Sequence, residues 1–408
     1  MKNILICYRG RLDSDARALF ASKLLNEKKN FDAFFLHDRK IDNYTIKLLS
    51  FFKLKTINLK NFKYIFNLYL MLYFLYTSVF SVIMLFIYKK KWLVNNFKVK
   101  NIYVGDLVYD QYVRFYYNFR SNFISLSLIR LIISTIFKVL SIEHFIKKKK
   151  IELYIATSYS YASISSLAVR ISTYKKIKTL MIGGNYYRIF EDYEKSLKGF
   201  YHISKERLQK FRENNQKVNL ASEYFAMRLN GQSFTKDRKA NNLHFNELDA
   251  KRAFGDKFEI NKREFIKKYA IDNKRPIFVI ATHGFKDANH LYGKFLFDDF
   301  LDEVEFILEK VKENEHFHWF IKKHPMSDFY KESDVVKNIL EKKKIKNVQL
   351  IDNNISTKSI LEIADRIFTS RGTIAIEYAA LGKCAYTSSR SYFSDLGFTH
   401  LINDRKEL

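Results

Sequence analysis

From Pro276 to Thr387 the chain alternates short apolar runs with longer helical stretches, and the apolar runs stop at clusters of polar groups. "PIFVIAT" (276–282), "HFHWFIK" (316–322), "VQLI" (348–351), "RIFT" (366–369) and "CAYT" (384–387) read as strands, the last of them closing the pattern. Between them, 297–313 places Phe300, Val304, Ile307 and Val311 on one helical stripe. The stretch 327–344 is helix-like, and 356–364 and 373–381 read as short helices, the second closed by Gly382 as a C-cap. Strands alternating with helices require parallel βαβ units, hence a doubly wound α/β domain.

The first half repeats the alternation less cleanly. Ile4 to Tyr8, Phe31 to His37, "VKNIYVGD", "IELYIA" and "KIKTLMI" read as strands, and Asp15 to Asn26 as an amphipathic helix. The expected organisation is an N-terminal Rossmann-like domain over 1–240, a polar linker with a helical portion over 241–274, and a second Rossmann-like domain over 275–408. The fold class is therefore α/β, with two doubly wound domains whose ligand edges face a cleft.

Ligands of such sheets bind beyond the carboxyl ends of the strands, so the residues after each strand are the candidates. "THGFKDANH" supplies His283, Asp287 and His290; "KKHP" supplies Lys322 and His324; "TSRGT" supplies Ser370, Arg371, Gly372 and Thr373. Pro325, one of two prolines, imposes extended geometry on His324 and leaves its imidazole beside an ammonium group, a fit for phosphate. "SRGT" opens a helix whose free amides and positive end suit an anion, and Gly372 allows close approach; Ser370 or Thr373 as a plain N-cap remains the simpler reading. Glu377, one turn on, has two readings: acceptor from ribose hydroxyls, or partner of a nearby lysine. In the first half Asp106 is the candidate general base for a sugar hydroxyl. Asp110 and Arg114 are spaced as an i,i+4 pair. Together with Arg9, Asn185, Asp287 and His290 they are assigned to the acceptor side or the cleft. His283 and His324 complete the catalytic candidates. No metal is required, and a site from His283, His290 and His324 is only a minor alternative.

The formal charge of +28 calls for an anionic partner. Nucleic-acid-binding signatures are lacking, so an anionic membrane surface or polyanionic substrate is favoured. Two cysteines, Cys7 and Cys384, exclude a disulfide framework and fit a cytoplasmic protein. Tyr64 to Tyr88 holds no charged residue and is followed by Lys89, Lys90 and Lys91. Three readings stay open for it: a membrane span, a buried core helix, or a helix in the membrane interface.

"FIKKHP", "TSRGTIAIEYAALGK" and "SYFSDLGFTH", with "ATHGFKDANH" and "GDLVYDQYVR", resemble bacterial capsule and surface-polysaccharide glycosyltransferases. The likeness is to the Kdo-transferase-like group and, more distantly, to CDP-glycerol glycerophosphotransferases. It covers about half of the last domain and patches of the first. The resemblance implies a GT-B architecture, a nucleotide-sugar donor (CMP-, UDP- or GDP-linked) on the second domain, a glycan or lipid-linked acceptor on the first, and no obligatory metal. It would put His324 and its lysine on the donor phosphate, the "SRGT" turn alongside, and Glu377 near the ribose. The expected protein is a glycosyltransferase of capsule or lipopolysaccharide assembly, peripheral on the inner face of the cytoplasmic membrane. CDP-polyol phosphotransfer and a non-catalytic nucleic-acid- or membrane-binding protein are the alternatives.

Overall fold

The computed structural model describes residues 2–10, 12–29, 31–61, 67–119, 122–182, 187–197, 203–214, 223, 225–226, 229, 257–293, 295–312 and 314–408. Packing divides the chain into two compact units, one of residues 1–199 with 290–293 and one of 200–289 with 294–408. The boundary expected at residue 240 lies outside the described residues.

In the first unit, β1 (Lys2–Cys7), β2 (Phe31–His37), β3 (Lys55–Asn58), β4 (Ile151–Ala156), β5 (Lys178–Ile182) and β6 (Tyr187–Phe190) form one sheet in the order β3-β2-β1-β4-β5-β6. Only β6 runs antiparallel to its neighbour. The expected strand through "VKNIYVGD" is not in this sheet. Lys100 and Asn101 adopt positive φ and turn the chain into a small hairpin of Lys98–Val99 against Ile102–Tyr103. A helix, numbered below, then starts at Gly105, where a Cβ would sit 1.9 Å from the Leu93 carbonyl oxygen. Only glycine permits that approach.

Helices complete the unit: α1 (Leu12–Lys29), α2 (Leu68–Asn96), α3 (Gly105–Phe115), α4 (Leu126–Lys148) and α5 (Ile164–Tyr174). α2 contains most of the charge-free segment and is long and apolar enough to cross a membrane. Its orientation is inverted. Thr77, Ser78 and Ser81 are buried with Leu70 and Leu85, on the helix that packs against α3 and α4, while Leu72, Leu75, Val79, Ile83 and Phe86 are exposed. Only 28% of its most apolar window is buried, which overturns the core-helix reading.

The second unit holds β7 (Ile277–Ala281), β8 (His318–Lys322), β9 (Val348–Leu350), β10 (Arg366–Thr369), β11 (Ala385–Thr387) and β12 (Thr399–Leu401), ordered β9-β8-β7-β10-β11-β12 and parallel throughout. β12 lies beyond the strand taken as the last. Every residue of β8 is buried, as a central strand covered on both faces requires. The unit's helices include α6 (Lys262–Tyr269), α7 (Phe300–Val311), α8 (Val335–Lys343), α9 (Thr357–Ile363) and α10 (Ile374–Ala380). α6 falls in the stretch read as linker, yet it belongs to the core: Phe265 is fully buried, its ring 4.9 Å from that of Phe320. A capping box between Asn261 and Glu264 starts it, and Ala270 in the left-handed region ends it. In both sheets the strand order reverses beside the first strand, so the second unit has its switch point between β7 and β10.

Candidate functional site

At that switch point the chain leaves β7 through Thr282 and His283, and β10 through Ser370 and Arg371. Thr282 Oγ1 accepts from the His324 backbone N–H at 3.2 Å, tying the end of β7 to the end of β8. His324 is fixed further by its ring. The Met326 N–H donates to Nδ1 at 3.2 Å, which places the ring proton on Nε2, and Ser327 Oγ donates to the His324 carbonyl at 2.8 Å. Pro325 holds the turn between them.

Four rings then stand nearly parallel in a row. Tyr330 lies 6.5 Å from His324, His324 5.6 Å from His283, and His283 4.3 Å from Phe300, with interplanar angles of 14°, 17° and 21°. The guanidinium of Arg371 closes the row, 4.9 Å from the Phe300 ring centre. Arg371 is anchored by its Nη2, which donates to the carbonyls of Ala288 and Asn289, both at 2.7 Å. Asn289 in turn donates to the Phe285 and Asp287 carbonyls and accepts from the Phe300 N–H. The loop after β7 is thus built around one guanidinium and one amide. Burial pushes both imidazoles below the usual histidine range, with Arg371 adding to the effect on His283 and Lys322 to that on His324; Asp287 opposes it in both. They are neutral hydrogen-bonding groups at pH 7, and Nδ1 of His283 is buried with no hydrogen-bond partner among the described residues.

Lys322 ends β8 with its side chain buried. Burial and then Lys257 push its pKa down to about 7, against the opposing pull of Glu377. Glu377 is therefore close to a lysine, as one of its two sequence readings held, and is itself buried. An anion bound beside Lys322 would restore its full charge.

A Cβ at Gly372 would meet Thr369 Oγ1 at 2.8 Å, so a larger residue there has to displace that hydroxyl. Thr373 occupies the N-cap position of α10 but makes no side-chain cap. α10 has only seven residues, so a macrodipole adds little at its start, where the sequence placed an anion site.

Two acids support this edge unforeseen. Glu332 accepts from the N–H groups of Phe285 and Lys286 at 3.1 and 3.0 Å, and Glu303 accepts from Ser388 Oγ. Burial raises each to about 7. Glu303 could have been found: three residues after Phe300 and four before Ile307, it falls on the apolar stripe of α7. Its folded pKa exceeds its ordinary 4.5, so the stability it contributes is present below pH 4.5 and is lost as pH rises through 7. Glu303→Gln keeps the acceptor without the charge. At pH 8 it is expected to be more stable than the parent by on the order of 2 kcal/mol, the difference vanishing near pH 4. Urea unfolding at the two pH values measures this; identical curves at pH 8 would refute it.

In the first unit the structure corrects the sequence expectations. Asp106 lies in the first turn of α3, not at a sheet strand's end. It is buried in an ion pair with Arg170 at 2.6 Å and accepts from the Leu107 N–H. A carboxylate so held anchors the fold, and no base role is assigned to it. Asp110 accepts from the backbone N–H of His290 at 3.0 Å and contacts its Nδ1 at 2.7 Å, both side chains buried. Burial pushes the Asp110 carboxyl up against the pull of His290. Asp110 and His290 thus engage each other. Arg9 donates from its backbone to Asp15 and from Nη1 to the Thr157 carbonyl, while Arg114 sits in the last turn of α3. Asn185 lies outside the described residues. Among the described residues, no three His, Cys, Asp or Glu side chains gather as a metal-ligand set.

Comparison with known proteins bears on this geometry. Residues 197–405, about half of the chain, match the family described as "Capsule polysaccharide biosynthesis protein". The chain belongs to this family. It is a capsule polysaccharide biosynthesis protein, and its parallel sheets are those of the Rossmann-like domains that the motifs implied. No curated protein matches it. Among solved structures, a glycosyltransferase from Rickettsia africae is similar at 12% identity, covering 99% of this chain and 84% of that one, with a TM-score of 0.29. The β-Kdo 2,4 transferase KpsC of Thermosulfurimonas dismutans is similar at 13% identity over 63% and 75%, with a TM-score of 0.35. The UDP-GlcNAc 2-epimerase of Neisseria meningitidis, bound to UDP-GlcNAc, reaches 14% over 99% and 88%, with a TM-score of 0.25. Likenesses at these scores carry no argument about substrate.

Proposed function

We propose that this capsule biosynthesis protein is a glycosyltransferase that binds a nucleotide-activated sugar at the switch point of its second unit, with Lys322, His324 and Arg371 around the donor phosphates. The observation that carries the reading is the stacked pair of neutral imidazoles, His283 and His324, at the carboxyl edge of a parallel sheet, with Arg371 closing the row beyond Phe300 and buried Lys322 ending the strand that leads to His324. Nε2–H of His324 donates to a phosphate oxygen, and Lys322 and Arg371 supply charge. Charge on the departing nucleotide grows as the glycosidic bond breaks, so preorganised donors there stabilise the transition state more than the ground state. Glu377, beside Lys322, accepts from ribose hydroxyls. Ser370, Gly372 and Thr373 line the approach after β10. The first unit holds a glycan or lipid-linked acceptor at the inner face of the cytoplasmic membrane, a reading supported by the charge of +28.

A thermal-shift series with CMP, CDP, UDP and GDP tests the donor site. One nucleotide is expected to raise the melting temperature by several degrees at saturating concentration, because it binds the folded chain alone. A series in which none of the four shifts the transition would overturn the site.

A further inference from the structure

We infer that the outward face of α2 is a docking surface for an anionic phospholipid bilayer, on which the helix lies rather than crosses. The inference is independent of the nucleotide reading. In a surface helix of a soluble protein the small polar residues face water and the large apolar ones face the core. α2 does the reverse: Thr77, Ser78 and Ser81 are buried, and Leu68, Leu72, Leu75, Val79, Ile83 and Phe86 form an exposed stripe. The exposed residues recur at intervals of three and four, so they cover one side of the helix. A stripe of this length is larger than the scattered apolar residues that a protein surface tolerates.

Charge selects the occupant. Past Tyr88 the apolar stripe meets Lys89, whose φ of 48° and ψ of −134° break the helix, and Lys89 and Lys91 are exposed there. Beside the first half of the helix, Tyr69, Tyr73, Tyr76, Lys98, Lys100 and Asn101 line a hollow of about 440 Å³. Lys100 is bridged to Glu143 at 2.9 Å and its N–H donates to Tyr73 Oη, which leaves exposed Lys98 to meet an anionic head group. Lysines therefore stand along a stripe whose border is rich in tyrosine, the composition of a membrane interface. A second copy of this chain would bring like charges together on a protein of formal charge +28. A span would expose the face now packed on α3 and α4 to lipid, with its buried hydroxyls.

Flotation of the full chain with vesicles tests this. With phosphatidylcholine containing about one third phosphatidylglycerol, the protein is expected to float, and to be released by high salt and by alkaline carbonate. Phosphatidylcholine alone retains at least about tenfold less. Lys89→Gln/Lys91→Gln/Lys98→Gln lowers binding to the anionic vesicles by about tenfold or more, and Leu75→Glu/Val79→Glu abolishes it without lowering the melting temperature. Equal binding to neutral vesicles, binding unchanged in both variants, or resistance to carbonate would each overturn the proposal. So would a concentration-dependent dimer, broken by Leu75→Glu/Val79→Glu, in a protein that does not float.

Discussion

His324→Ala is expected to lower sugar transfer by about two to three orders of magnitude, as loss of one preorganised donor to developing charge does, while the fold persists. The geometry separates this residue from an ordinary loop histidine. Its backbone N–H is held by Thr282 and its carbonyl by Ser327, and Nδ1 is occupied by the Met326 N–H, so the ring presents Nε2–H in a fixed direction. The neighbouring rings of His283 and Tyr330 limit its rotation. Because the interaction strengthens as the nucleotide departs, the loss falls mainly on kcat, with KM for the donor changing less. His324→Gln, which keeps an N–H donor, should recover part of the rate. The donor picked out by the nucleotide series serves as substrate, and circular dichroism checks the fold. Wild-type turnover in a folded His324→Ala protein would remove this residue from the phosphate site.

How much of this site could be read from residues alone depends on distance along the chain. "KKHP" and "TSRGT" declare themselves because a strand of parallel sheet must end somewhere polar, and strand and polar cluster are contiguous in sequence. The parallel sheet of the second unit was likewise evident, since its apolar runs are short and bounded. What contiguity does not reveal is pairing. Asp110 meets His290 across 180 residues, and Asp106 meets Arg170 across 64. Local spacing offered only Arg114 as a partner for Asp110. The buried acids escaped notice because a glutamate in a helix is assumed to face water, although the position of Glu303 on the α7 stripe argued otherwise. α2 misled in the opposite way: composition showed an apolar helix, but which side faces the protein depends on what packs against it. β12 is only three residues long, Thr399–Leu401, too short for periodicity to detect.

Replacing Arg170 by methionine should be the most damaging change in the first unit, costing about 3–5 kcal/mol, because it leaves the Asp106 carboxylate buried without its counter-charge. The pair is closed, with both side chains buried and 2.6 Å between Nη2 and the carboxylate; the Arg170 guanidinium also lies 5.9 Å from the ring centre of Tyr103. Removing both charges together, as Asp106→Leu/Arg170→Met, should cost much less than Arg170→Met alone, since a buried ion pair gains little over apolar packing once desolvation is counted. Chemical unfolding of the two single variants and the double variant yields the coupling energy. A further variant, Asp106→Asn, separates two roles for Asp106. As a general base, Asp106→Asn would lose turnover at unchanged stability. As the anchor of α3 against α5, it loses stability first, and the folded fraction retains its transfer rate. A folded and stable Asp106→Asn protein without activity would return Asp106 to the chemistry.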